Sequence, residues 1–171
     1  MIVTSCSNNI SDNRNIISID NSHFEFELPN ESKELEDLKK IMLELNGNIL
    51  YLAVCDTNDS KNLFMVSKYI APNKMSIEDA FAQSVETTTN FNIDSLKDNF
   101  ELIDYKTYDV QGTTIRYKIS KHFDKAYTIM YYFMKDDYSN ELYEIKTSTT
   151  KEGLSKAKIF SEKVALSVII K

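Results

Sequence analysis

Apolar and polar residues follow two different periods in the first third of the chain. Ile16 to Ile19 and His23 to Leu28 carry apolar side chains at alternate positions and are separated by Asp20-Asn21, which predicts a short hairpin. From Ser32 the apolar residues recur at helical spacing, and Gly47 is expected to end this helix as a left-handed cap. The region is therefore predicted to form a hairpin followed by an amphipathic helix.

Two more apolar runs of strand length come next. Ile49 to Cys55 and Leu63 to Ile70 are predicted strands, and Pro72 is expected to close the second. Ser76 is followed three residues later by the carboxylate of Asp79, which resembles a helix capping box. A second helix is therefore predicted to begin directly after this serine.

The rest of the chain contains four apolar segments and a final helical pattern. The segments are separated by short polar connections, and a parallel crossover would need a dozen residues or more, so they are predicted to form an antiparallel meander. The helical pattern covers Lys151 to about Ser167. These elements predict an α+β fold with a mostly antiparallel sheet and flanking helices. The four segments are Glu101 to Val110, Thr113 to Lys121, Ala126 to Lys135 and Glu141 to Thr149.

Length and charge narrow the classes of function. A chain of 171 residues lies within the usual size of one domain, so we expect a single α+β domain over residues 16–171. The net charge of −6 argues against binding to nucleic acid, because phosphate contacts need a concentrated positive surface. No apolar run approaches the roughly 18 residues that a membrane-spanning helix needs.

Residues 1–15 are predicted to be a leader and a tether. Val3-Thr4-Ser5-Cys6 resembles the end of a bacterial lipoprotein signal, in which the cysteine receives lipid, and the nine residues that follow are almost wholly polar. Because a secretory signal also needs a basic region and an apolar stretch, this interpretation expects further residues before Met1. It places the protein in the bacterial cell envelope, lipid-anchored at Cys6 and facing the periplasm or the exterior. The alternative is an incidental tail on a cytoplasmic protein.

The residue types that catalytic and cofactor sites require are scarce. His23 and His122 are the only imidazoles, and neither has a partner at metal-ligand spacing, so solvated or capping roles are expected for both. Three glycines are too few for a phosphate loop, a dinucleotide motif or a nucleophile elbow. We therefore predict no metal, no cofactor and a non-catalytic function in binding or assembly.

Two weaker patterns point to other chemistry. Asp56, Asn58 and Ser60 imitate the first half of a calcium loop, but Lys61 and Ser67 occupy the positions that need Gly and Glu, which favours an ordinary turn. The alternative function is a small hydrolase whose carboxylates converge only in the fold, and strand alternation is expected to place each pair on one face. Its candidate residues are Glu25 with Glu27 and Glu141 with Glu144.

The segment from Ala126 to Met134 contains no charge and has aromatic or sulfur-bearing side chains on both faces. A central strand covered on both sides explains this pattern. The functional alternative is that tyrosines line a surface for an unknown protein or small ligand, since tyrosine combines apolar area with a polar group. The candidates are Tyr105, Tyr108, Tyr117, Tyr127, Tyr131, Tyr132 and Tyr143.

The order of the predicted elements, together with several short sequence strings, resembles that of the superfamily of PsbP-like domains. This superfamily includes DcrB-type bacterial lipoproteins and a Ran-binding nuclear-import factor. The resemblance implies an α/β/α sandwich and a non-catalytic binding or assembly role, with no shared active site. The strings are Phe24-Glu25-Phe26-Glu27-Leu28-Pro29, Ser76-Ile77-Glu78-Asp79-Ala80-Phe81, Val110-Gln111-Gly112 before Thr114-Ile115-Arg116-Tyr117, Leu142-Tyr143-Glu144-Ile145, and Leu166-Ser167-Val168.

Overall fold

A computed structural model describes residues 15–21, 23–30, 32–46, 48–56, 59–89, 100–110, 113–122, 126–136 and 138–171. The strands are β1 (Ile16–Ile19), β2 (Phe24–Glu27), β3 (Lys33–Glu34), β4 (Ile49–Asp56), β5 (Asp59–Ser76), β6 (Phe100–Val110), β7 (Thr113–His122), β8 (Ala126–Phe133), β9 (Tyr138–Thr150) and β10 (Ile169–Ile170). The helices are α1 (Glu36–Asn46), α2 (Ile77–Thr89) and α3 (Leu154–Leu166).

The strands form two antiparallel sheets. The larger has seven strands in the order β3-β4-β5-β9-β8-β7-β6, and the smaller has three in the order β1-β2-β10. The predicted hairpin of β1 and β2 is confirmed, as is the meander, in which β6, β7, β8 and β9 pair consecutively. The short connections leave each strand beside the one that precedes it, as antiparallel pairing allows.

The first face of the large sheet is covered by the small sheet and by α3. From β2, the ring of Phe24 stacks on Tyr143 of β9 with centroids 4.6 Å apart. From α3, Phe160 meets Phe64 of β5 edge-on at 5.6 Å. These contacts form one aromatic core, in which alternate residues of the central strands point toward α3 and β2.

The second face is covered in part by α2. Ile77 and Ala80 pack on Tyr132 and Met134 of the β8 region, and Phe81 meets Tyr132 edge-on at 5.7 Å. Helices therefore lie on both faces of a mostly antiparallel sheet, which confirms the predicted α+β class. No helix in the described parts of the chain has the length and apolarity needed to cross a bilayer.

Local signals at the start of α2 behave as predicted, except at Pro72. The Asp79 N–H donates to Ser76 Oγ at 3.1 Å, and the Ser76 hydroxyl donates to Asp79 Oδ2 at 2.8 Å, so the serine caps the helix. The prediction that Pro72 closes β5 is wrong, because the strand continues to Ser76. Its pairing with β9 shifts between Ile70 and Met75, and proline is tolerated at such an irregularity because it has no N–H to donate.

The structure differs from the sequence prediction at the start of α1 and adds a short strand at the end of the chain. The predicted helix at Ser32 begins instead at Glu36, because the Ser32 N–H donates to the Pro29 carbonyl in a turn at 3.0 Å and the short strand β3 follows. The apolar end of the chain forms β10, which pairs with β2. The cap expected at Gly47 lies outside the described residues.

Candidate partner-binding site

The tyrosines expected at a surface lie in the interior wherever their side chains are described. They occupy alternating positions, so Tyr132 lies beneath α2 while the others belong to the first-face core. The covered central strand accounts for them, and these rings form no exposed patch. The buried residues are Tyr117, Tyr127, Tyr131, Tyr132 and Tyr143. The side chains of Tyr105 and Tyr108 lie outside the described part of the chain.

The four carboxylates of the hydrolase alternative do not form one site. Glu25 and Glu27 lie on the small sheet, where Glu25 accepts hydrogen bonds from Ser18 and Lys171. Glu141 lies 3.2 Å from Lys68 on the first face, whereas Glu144 is buried on the second face. The expectation that this last pair shares a face is wrong, because a separation of three residues in a strand reverses the side-chain direction.

The remaining sequence candidates are placed as follows. His23 Nδ1 lies 2.7 Å from the carbonyl oxygen of Asp20, which confirms a capping role in the β1–β2 turn. The side chain of His122, the first fourteen residues with Cys6, and the side chains of the Asp56 turn lie outside the described residues. Within the part of the chain that is described, no three metal-ligating side chains come together.

The apolar stripe of α1 is only partly covered. Sequence periodicity predicts that Leu38 and either Ile41 or Met42 face the interior. Met42 is partly buried, but the exposed fractions of Leu38 and Ile41 are 39% and 55%. The helix packs on β4, and within the described residues the sheet continues beyond β4 only as the two-residue strand β3. A short sheet edge gives the helix little surface to bury, so a row of apolar side chains stays in contact with solvent.

Two cavities lie on the second face, and both include Tyr69. The larger has a volume of about 290 Å³ and brings Met42 of α1 together with β4, β5 and β9. The smaller has a volume of about 180 Å³ and extends toward α2. We call the two together the second-face cleft. Its residues are Met42, Asn48, Ile49, Met65, Ser67, Tyr69 and Lys146 in the first cavity, and Tyr69, Ile70, Ala71, Met75, Ala80, Gln83, Met134, Asn140 and Leu142 in the second.

Buried charges lie beneath the cleft. Glu144 is directly opposite Ser67 in the β5–β9 ladder and is 8% exposed. Burial raises the pKa of Glu144, although Lys146 and Lys118 oppose that change. Lys118 is 3% exposed, and burial lowers its pKa to about 8. Glu144 and Lys118 therefore lie behind the cleft residues, in a poorly hydrated environment.

Tyr69 is the residue that joins the two cavities. Its side chain is 39% exposed, and partial burial, followed by the nearby Glu144 carboxylate, raises the pKa of its phenol. Such a group offers a hydrogen-bond donor beside apolar surface. This site was not among those predicted from the sequence, although the alternation of Met65, Ser67 and Tyr69 in β5 indicates a face of mixed polarity.

No protein-family model matches the chain, and a search of curated proteins finds no match. Solved structures do match. Cyanobacterial PsbP (CyanoP) from Synechocystis sp. PCC 6803 is 14% identical with a TM-score of 0.62, and the match covers 99% of each chain. The Ran-binding protein Mog1p from Saccharomyces cerevisiae is 13% identical with a TM-score of 0.58, over 92% of this chain and 95% of Mog1p. The chain has a PsbP-like fold. This confirms the sandwich implied by the sequence resemblance, and at these identities the likeness is one of fold.

Proposed function

We propose that this protein is a non-catalytic binding domain that docks a protein partner on the second-face cleft and is held at the bacterial cell envelope by lipid on Cys6. The observation that carries the binding role is the exposed apolar stripe of α1, at Leu38 and Ile41, beside the cavity that contains Met42 and Tyr69. Apolar surface continuous with a concave site is typical of an interaction surface.

The composition of the cleft favours a protein partner. Tyrosine and methionine are enriched in protein interfaces, and methionine adapts its shape to an incoming side chain. Met42, Met65 and Tyr69 supply these groups, and Lys146 gives the rim a cation that an acidic side chain of the partner would meet. Mog1p, which shares the fold, is described as a Ran-binding protein, so protein binding has a precedent on this architecture.

The binding role is tested by affinity capture from native membranes with the wild-type chain and two variants. Ile41→Asp places a charge on the α1 stripe. Ile103→Asp is the matched control, because Ile103 is also exposed and lies on β6 at the other edge of the sheet. We expect the same protein to co-purify with the wild type and the control, and at least tenfold less of it with Ile41→Asp. Equal recovery from both variants would reject the cleft as the docking site.

The lipid anchor is supported by Val3-Thr4-Ser5-Cys6 and by the polar residues that follow. Metabolic labelling with a fatty acid tests it, using the full-length gene product and its Cys6→Ala variant. We expect label on the wild type and none on the variant, together with release of the variant from the membrane fraction. Equal labelling of both proteins would reject lipid attachment at Cys6. It would not affect the binding role, which the capture experiment tests separately.

A further inference from the structure

A second apolar surface lies on the opposite side of the large sheet, along the outside of α3. Ile159 and Leu166 point away from the buried stripe of this helix, since positions seven apart share one helical face. Ile159 is 70% exposed, the largest fraction among the exposed apolar residues of the described chain. Ile16 and Ile169 of the small sheet are exposed beside them. We call these four residues, with Lys156 and Lys163, the α3 surface.

The members of the α3 surface are neighbours in space. A cavity of about 480 Å³ includes Lys156, Ile159 and Lys163. A second, of about 430 Å³, includes Lys163 again together with Ile16, Leu166 and Ile169. Because both cavities share Lys163, the aliphatic side chains and the two ammonium groups form one continuous surface.

The C-terminal segment differs in charge from the whole protein. The chain carries a net charge of −6, but residues 151–171 contain five lysines and two glutamates. Glu25 and Glu27 also line the cavity that contains Lys163, and Glu25 forms an ion pair with Lys171. The positive charge that favours an anionic surface is therefore carried by exposed lysines on the outside of α3, above all Lys156 and Lys163. The lysines are Lys151, Lys156, Lys158, Lys163 and Lys171, and the glutamates are Glu152 and Glu162.

We propose that the α3 surface rests on an anionic phospholipid bilayer. Ile159 and Leu166 would enter the region between headgroups and acyl chains, while Lys156 and Lys163 extend along it toward lipid phosphates. Lysine is depleted in protein interfaces but attracted to anionic leaflets, so the lysine-flanked aliphatic residues fit a bilayer better than a protein partner.

The position of the surface agrees with the proposed anchor, and in that respect the inference rests on the proposed function. Ile16 is part of the α3 surface, and Cys6 precedes it by ten positions in the sequence. The α3 helix covers the first face of the large sheet, whereas the cleft opens on the second. A bilayer against α3 would therefore leave the second-face cleft open to a partner.

Vesicle flotation of the full chain tests the proposal. The protein carries Cys6→Ala and no lipid, so binding reports the surface alone, and the vesicles contain either phosphatidylcholine only or phosphatidylcholine with phosphatidylglycerol at about 7:3. We expect flotation with the anionic vesicles at low salt and at least fivefold less with the neutral ones. Lys156→Gln and Lys163→Gln should each weaken binding about fivefold. Raising the salt concentration should weaken it as well.

The apolar contribution is tested by Ile159→Asp, with Ile103→Asp as its matched control. Ile103 is 44% exposed, lies on the edge strand β6 and lines neither cavity of the α3 surface. We expect loss of flotation only for Ile159→Asp, with far-ultraviolet circular dichroism showing that both variants are folded. Equal flotation of the two variants, or no flotation of the parent chain, would overturn the proposal. So would elution of the parent as a dimer that Ile159→Asp converts to a monomer, because a second copy would then be the occupant. None of these outcomes changes the capture result expected for Ile41→Asp.

Discussion

The Lys68 ammonium nitrogen lies 2.8 Å from Oδ2 of Asp20, joining the turn of the small sheet to the centre of the large one. Lys68 also lies 3.2 Å from Glu141 and 5.4 Å from the ring centre of Tyr143, whose hydroxyl donates to the same Asp20 carboxylate. Asp20 and Asn21 have positive φ angles of 53° and 55°, which these residue types tolerate in a tight hairpin turn. A charged contact thus fixes the hairpin over the aromatic core.

Asp20→Asn should lower the free energy of unfolding at pH 7 by about 1 to 2 kcal/mol, because a partly buried charge-assisted hydrogen bond is lost while the turn preference is kept. The hydrogen bond from Lys68 is the main reason that the pKa of Asp20 lies below its ordinary value. The difference in free energy of unfolding between the wild type and Asp20→Asn should therefore be fully present above about pH 4. It should disappear as the pH falls through the lowered pKa of Asp20 in the folded state. Urea unfolding of both proteins between pH 2.5 and 7 measures it, and a pH-independent difference would contradict the assignment.

The sequence predicted the parts of the fold that depend on local pattern. Alternation and turn residues identified the hairpin and the meander, and Ser76 with Asp79 identified the start of α2, because these signals act within a few residues. The pairing of β10 with β2 and the contact of Lys68 with Asp20 join distant parts of the chain, and no local pattern reports them.

Gly153 precedes α3 at a point where a methyl group would not fit. A Cβ there would lie 2.5 Å from Thr149 Oγ1 and 2.8 Å from Asn62 Oδ1, two buried groups that hydrogen-bond to each other. Gly153→Ala should therefore lower the free energy of unfolding by about 1 to 3 kcal/mol. Ser155→Ala, at an exposed position of the same helix, should change it by less than about 0.5 kcal/mol. Similar chemical-denaturation midpoints for the two variants would show that the helix start is not tightly packed.

Ser161 connects α3 to the first face by a buried hydrogen bond, with its hydroxyl 2.6 Å from Thr147 Oγ1. Ser161→Ala and Thr147→Val should each destabilise the fold by about 1 to 3 kcal/mol, because each leaves a buried hydroxyl without this partner. The double variant should be less destabilised than the sum of the two. A double-mutant cycle by urea unfolding measures the coupling, and strict additivity would contradict a direct interaction.

The buried Lys118 should make stability increase with pH above about 8. Its folded pKa is about 8, so the folded protein releases this proton while the unfolded chain keeps it until about pH 10.4. More protons are then bound by the unfolded state, and the free energy of unfolding increases with pH in that window. Lys118→Met should be more stable than the wild type at pH 7 by about 1 to 3 kcal/mol and lack the increase.

The control for this prediction is Lys106→Met, an exposed lysine on β6, which should keep the wild-type pH dependence. Thermal or urea unfolding between pH 7 and 9.5 separates the variants. If Lys118→Met and Lys106→Met respond alike, burial does not control the ionisation of Lys118.

The candidate site was harder to predict than the fold. The uncharged segment from Ala126 to Met134 suggested a tyrosine surface, but a strand covered on both faces has the same composition as an interface. Leu38 and Ile41 are exposed because the described sheet extends beyond β4 only by the short strand β3. Sequence periodicity predicts only that the helix has an apolar side. Whether that side is covered is decided by the tertiary arrangement.

Site-specific photocrosslinking tests the binding role most directly. A photoreactive phenylalanine analogue is placed at Tyr69 or Ile41 of the full chain in its native host, and at Ile103 as an exposed control on β6, at the other edge of the large sheet. We expect one protein adduct of the same mass from Tyr69 and Ile41 and none from Ile103. An adduct from all three positions, or from Ile103 alone, would contradict the binding role of the cleft.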